Sequence, residues 1–291
     1  LTSLTLGACS SQPSGGAASL SALLGSGKFT LRLEGRKDIP VYYVTGARAT
    51  RDATILVVMH GTDRNGADYR NTWAGLVRDR DVVVVVPQFS REDFPGAENY
   101  NLGGLADPDG RDRRNPGVED GAYGYIEPLF ERTRERIGGS QEGFVMFGHS
   151  AGAQFVHRYV ELVPDAPVTT AVAANAGWYT MPDDSERFPY GLKGDHAPAF
   201  DARAAFGRRL IVLLGEEDTE TENLRQDDGA MAQGDTRLAR GKEFFARARA
   251  VAQRDDVPFR WVLAEVPGVA HDQVGMAGAA VPYLLGAGEG R

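Results

Sequence analysis

The pentapeptide Gly148-His149-Ser150-Ala151-Gly152 constrains this chain more than any other segment. It follows an apolar run, residues 143–147, and precedes a helix-like stretch, residues 153–162. A serine set between glycines, a strand before it and a helix after it, is a nucleophile-elbow pattern. The turn is so tight that side chains at Gly148 and Gly152 would collide with neighbouring backbone. The serine is lifted on a strained corner, at the end of a helix whose dipole favours negative charge. The chain holds 36 glycines in 291 residues, so an ordinary glycine-rich turn with a capping serine spells the same letters. The rest of the sequence decides between the two.

Acyl transfer needs three further parts: a base, an acid to orient it, and donors for an oxyanion. Residues 209–214 (RLIVLL) read as a strand buried on both faces. They end in Gly215-Glu216-Glu217-Asp218, and Glu220 adds a fourth acidic side chain to the loop. A solvated acidic loop has the same composition. A turn led by Gly215 brings the short Asp218 side chain back over the strand end, which makes it the first choice for the acid and Glu217 the second. Residues 259–266 (FRWVLAEV) read as the last strand, followed by Pro267-Gly268-Val269-Ala270-His271. Among five histidines, His271 stands where a base is expected. His149 packs inside the elbow, His157 lies two turns along the helix, His196 is in a polar loop, and His60 follows an earlier strand. That strand, residues 53–59 (ATILVVM), leads into His60-Gly61-Thr62. Gly61 permits an unusual backbone angle, so the amides of Thr62 and Ala151 are the candidate oxyanion donors.

These four segments, with Ser, Asp and His in that order, resemble the α/β-hydrolase superfamily from about residue 53 to the C-terminus. Within it the chain is most similar to bacterial secreted esterases near the polyhydroxybutyrate-depolymerase and feruloyl-esterase group. The resemblance implies an α/β fold with a mostly parallel eight-stranded sheet and helices on both faces. It implies a serine hydrolase that cleaves small or polymeric carboxylic esters through Ser150, His271 and Asp218, with no metal and no organic cofactor. The same apparatus serves peptides and thioesters, and a non-catalytic binding protein can keep the fold.

The order of elements agrees with that class. Residues 28–33, 39–45, 53–59, 81–87 and 168–174 read as further strands, and 68–78, 122–137 and 236–253 as helices. The catalytic domain is expected over residues 28–291. Two long irregular stretches, 88–121 and 180–207, follow strands and should rise on the catalytic side of the sheet. Phe89, Trp178 and Tyr179 lie within a few residues of strand ends and are the candidate substrate-binding side chains.

Net charge is −8, which argues against nucleic acid as a partner. The single cysteine, Cys9, excludes a disulfide within the chain. Leu6-Gly7-Ala8-Cys9 resembles a lipoprotein lipobox, and a small-residue tether follows it, so residues 1–27 read as a clipped signal and flexible linker. That reading makes Cys9 a lipid-attachment site, places the enzyme outside the cytoplasm, and allows membrane contact only through the acyl anchor.

Overall fold

The computed structural model describes residues 23–105, 120–194 and 197–286. Cys9 and His196 lie outside the described residues. Eight strands form one sheet: β1 (Ser26–Leu31), β2 (Ile39–Thr45), β3 (Thr54–Met59), β4 (Val82–Pro87), β5 (Phe144–His149), β6 (Val168–Ala174), β7 (Arg209–Gly215) and β8 (Val262–Val266). Their order across the sheet is β1-β2-β4-β3-β5-β6-β7-β8. β1 pairs antiparallel with β2, and β2 antiparallel with β4; every other pair is parallel. The expected eight-stranded, mostly parallel sheet is therefore the observed one.

Period two along each central strand splits the core into two layers. Ile55, Val57, Met59, Val83, Val85, Met146, Val212 and Leu214 face one side. There they meet Phe130 of α2 (Ile126–Ile137), Phe155 of α3 (Ala151–Leu162) and Phe244 of α6 (Arg237–Arg254). Leu56, Val58, Val84, Val86, Phe147, Ile211 and Leu213 face the other side. They pack under Trp73 of α1 (Gly66–Leu76) and Met276 and Leu284 of α7 (Gln273–Leu285). With both faces covered, β4 can be valine at five consecutive positions, all buried.

Boundaries differ from the sequence reading where tertiary contacts intervene. Residues 122–125 form a 3-10 turn before α2. The stretch expected to be irregular, 180–207, ends in α4 (Ala202–Gly207), whose N-cap Asp201 accepts from Ala204 N–H. A further short helix, α5 (Asp228–Met231), follows β7. Residues 259–261 do not join β8. Phe259 and Trp261 turn onto Phe206 instead, with Trp261 Nε1 donating to Ala205 O at 3.0 Å.

Parallel pairing fixes where chemistry can collect. The C-terminal ends of β3, β5, β7 and β8 all open on the same edge of the sheet. The segments after them carry His60-Gly61-Thr62, Ser150, Asp218 and His271.

Candidate active site

Ser150 adopts φ 57° and ψ −116° between β5 and α3. The conformation is one a residue with a Cβ rarely takes. Packing holds it there. A Cβ on Gly148 would stand 2.2 Å from Gly152 O, and one on Gly152 would stand 2.2 Å from Met59 O. β3, β5 and the first turn of α3 thus touch backbone to backbone, which only glycine allows. Ser150 makes no capping bond to its own helix, so its hydroxyl is free for other partners.

Those partners arrive from the loops after β7 and β8. His271 Nε2 lies 3.1 Å from Ser150 Oγ, and His271 Nδ1 lies 2.7 Å from Asp218 Oδ2. The acceptor-only carboxylate assigns the imidazole proton to Nδ1 and leaves the Nε2 lone pair facing the serine. The Gly215–Asp218 turn closes through Asp218 N–H to Gly215 O at 3.1 Å. It buries Asp218 to 1% exposure while Glu216, Glu217 and Glu220 stay exposed. The structure therefore brings Ser150, His271 and Asp218 together and leaves Glu217 in solvent.

Two further side chains border this row: Arg237, which was not singled out from sequence, and His149, which was expected to pack inside the elbow. Arg237, at the start of α6, donates from Nη1 to the second carboxylate oxygen, Asp218 Oδ1, at 3.2 Å. Its guanidinium also meets Glu220 O and Glu222 O, so it ties the acid to its own loop. Nothing local in the sequence marks an arginine nineteen residues from its partner. His149 packs its ring 4.7 Å from the His271 ring and meets Tyr69 Oη through Nδ1 at 3.4 Å. Burial, reinforced by the charge His271 can carry, holds His149 well below the usual imidazole range and keeps it neutral.

The loop after β3 is braced from beneath. His60 Nδ1–H donates to Gly61 O at 3.0 Å, and His60 Nε2 accepts from Phe89 N–H at 3.1 Å. The His60 ring stacks on Tyr100 with centroids 4.6 Å apart, and the Arg64 guanidinium covers the same tyrosine at 4.2 Å. Burial lowers the His60 pKa to about 3, so it is a neutral structural imidazole. Gly61 faces the Tyr69 hydroxyl, which would lie 2.8 Å from a Cβ at that position. Thr62 is exposed, and among the described residues its N–H donates to no backbone carbonyl. Ala151 is buried at the first position of α3, where a helix leaves its amide without an intrahelical acceptor.

The three candidate substrate-binding aromatics are placed differently from expectation. Phe89 is fully buried, edge-on to Phe94 and Tyr125, and its N–H and C=O are taken by His60 and Arg64. Tyr179 is also fully buried, stacked on Phe244 at 4.5 Å, with both backbone groups held by Gln233. Both are core residues, not cleft residues. Trp178, 3% exposed, has the Arg158 guanidinium 4.1 Å and that of Arg225 5.0 Å from its ring. Proximity to a strand end sets the edge of the sheet on which a side chain lies. It does not set whether the side chain turns outward or back onto the core.

Among the described residues, no group of three or more His, Cys, Asp or Glu side chains has the arrangement to hold a metal ion. No helix among them is long and apolar enough to cross a membrane.

Similarity to solved structures is extensive. A poly(aspartic acid) hydrolase from Sphingomonas sp. KT-1 shares 39% identity over 90% of this chain and 99% of its own, with a TM-score of 0.84. A poly(3-hydroxybutyrate) depolymerase from Bordetella parapertussis shares 31% identity over 92% of this chain and 93% of its own, with a TM-score of 0.83. An S-formylglutathione hydrolase from Agrobacterium tumefaciens shares only the fold, at 16% identity over 88% of this chain and 91% of its own, TM-score 0.54. No protein-family model and no curated protein sequence matches the chain.

Proposed function

The chain belongs to the α/β-hydrolase superfamily and is a hydrolase, and on that premise we propose that it cleaves carboxylic esters through an acyl-enzyme formed on Ser150. One observation carries the reading: the continuous row from Ser150 Oγ to His271 at 3.1 Å and from His271 to buried Asp218 at 2.7 Å. In this mechanism His271 Nε2 takes the hydroxyl proton as Ser150 Oγ bonds to the substrate carbonyl carbon. Asp218 fixes the ring and stabilises the imidazolium that forms. The amides of Thr62 and Ala151 receive the oxyanion, each worth roughly 3 kcal/mol in the transition state. The carbon–oxygen bond to the leaving alcohol then breaks, and the alcohol takes the proton from Nε2. Water repeats the sequence and frees Ser150.

A second reading keeps the machinery and changes the bond. The relative with 39% identity is a poly(aspartic acid) hydrolase, and poly(aspartic acid) is a polyamide. Amide cleavage by the same three side chains therefore stands beside ester cleavage. Both relatives carry polymer names, which favours a polymeric substrate for either bond.

A fluorophosphonate probe followed by peptide mapping tests the nucleophile. Label on Ser150, absent from Ser150→Ala, is the expected result; label elsewhere, or none, removes the proposal. Turnover of paired ester and amide oligomers then separates the two readings. The acyl anchor on Cys9 and an extracytoplasmic site of action remain part of the proposal, resting on the lipobox-like sequence. Incorporation of labelled palmitate in cells, lost in Cys9→Ser, checks both.

A further inference from the structure

His271 rides on a loop with little of its own to hold it. Pro267, Gly268 and Ala270 are exposed, and Gly268 takes φ 69°. Outside the contact with Ser150 and Asp218, two hydrogen bonds among the described residues tie the carbonyls of residues 267–271 to the rest of the molecule. Glu217 N–H donates to Val269 O at 3.0 Å, and Asn175 Nδ2 donates to Ala270 O at 3.0 Å. The second acts on the residue immediately before the imidazole.

The same asparagine holds the other half of the row. Asn175 Oδ1 accepts from Gly215 N–H at 2.8 Å, where the turn that delivers Asp218 begins. Its own N–H donates to Leu213 O at 3.0 Å, which locks its backbone to β7. The orientation of the amide is not free. A carbonyl can only accept and an amide N–H can only donate, so the two partners fix which end of the side chain faces which loop. Asn175 is 1% exposed and has φ 52°, a left-handed conformation that asparagine tolerates better than most residues. That backbone turns its side chain across the ends of β6 and β7. Gly215 completes the junction, since a Cβ there would stand 2.3 Å from Val269 O.

We propose that Asn175 is a positioning residue, a single side chain that sets the distance between Asp218 and His271 by clamping both of their loops. The inference rests on the Ser150–His271–Asp218 reading and goes beyond it. A serine hydrolase tolerates little error here, because a misplacement of about 1 Å costs on the order of 100-fold in rate.

Two variants test it. Asn175→Gly keeps the left-handed backbone and removes both clamps. Asn175→Asp keeps the size and the bond from Gly215 N–H, but sets a carboxylate oxygen against Ala270 O. Both should lower kcat roughly 10- to 100-fold on a simple ester, with KM within about threefold of the parent. The low-field proton resonance of a His271 Nδ1–H shared with Asp218 should broaden or vanish in both. Combined with Ser150→Ala, neither should change the residual rate. Two variants with kcat within threefold of the parent would overturn the clamp, as would a lowered kcat with the resonance intact. Should Asn175→Gly not fold, the near-isosteric Asn175→Asp decides alone. Failure of both to fold would also overturn the inference, by making Asn175 a residue of the core rather than of the catalytic loops. Turnover surviving in Ser150→Ala would instead sink the triad reading itself.

Discussion

Replacing Ser150 by glycine should yield a more stable protein than replacing it by alanine, the reverse of the usual order. Both substitutions delete the hydroxyl and its bond to His271, so that loss cancels in the comparison. What differs is the backbone. Alanine keeps a Cβ at φ 57°, ψ −116° and inherits the strain, of order 1–3 kcal/mol for such a conformation. Glycine occupies the same angles freely and gives back only about 0.4–1 kcal/mol through its looser unfolded chain. The balance favours Ser150→Gly by about 1–2 kcal/mol. With a urea m-value of about 3 kcal/mol/M, that is a midpoint higher by roughly 0.3–0.7 M. Ala250→Gly, at an exposed position in α6, supplies the control and should move about 1 kcal/mol the other way. The assay is equilibrium urea unfolding of the two inactive variants, with matched m-values. A Ser150→Gly midpoint at or below that of Ser150→Ala would refute the claim that the elbow stores strain.

Gly152→Ala forces a Cβ to 2.2 Å from the backbone oxygen of Met59, so soluble protein should carry less than a hundredth of the parent activity in an ester assay, or none should be recovered. Arg237→Met leaves the Asp218 carboxylate buried without its cation and should cost about 3–5 kcal/mol in urea unfolding, together with a reduced kcat. Trp178→Ala strips the aromatic cover from buried Arg158 and should lower stability by about 3–5 kcal/mol; unchanged stability with a raised KM would return Trp178 to the cleft. His60, His149 and His157 are all held neutral by burial, with pKa values depressed relative to the unfolded chain. As pH falls below about 6.5 the unfolded state takes up protons that the folded state refuses, so stability present at neutral pH is lost on acidification. Each histidine contributes up to about 1.4 kcal/mol per pH unit between its unfolded pKa and its lower folded one. Urea midpoints should therefore drop steeply from pH 6 to pH 4.5, and a flat trend would contradict the burial argument.

What the sequence made legible was whatever local sterics or strand order determine. Gly148 and Gly152 are readable because backbone contact at a tight corner leaves no other residue possible. His271 is readable from its place after the last strand, since parallel strands send their C-terminal ends to one edge. Asp218 separates from Glu217 by reach, and the Gly215 turn already favoured the shorter side chain. The hidden part belongs to contacts between distant segments. Phe89 and Tyr179 were misplaced because their burial depends on Arg64, Gln233 and Phe244 arriving from elsewhere. Arg237 and Asn175 act across 19 and 95 residues, on Asp218 and on Ala270, with no pattern to announce them. α4, six residues long, is too short for a helical period to emerge.

The sheet order carries an evolutionary consequence. Ser150, Asp218 and His271 sit on short turns directly after β5, β7 and β8, whereas the described residues of 182–207, between β6 and β7, make no hydrogen bond to any of the three. Exchanging residues 182–207 would reshape the surroundings of the row and leave its own hydrogen bonds in place. A lineage built on this plan can change what reaches the row by exchanging one segment, while the corner at residue 150 stays under the same steric law.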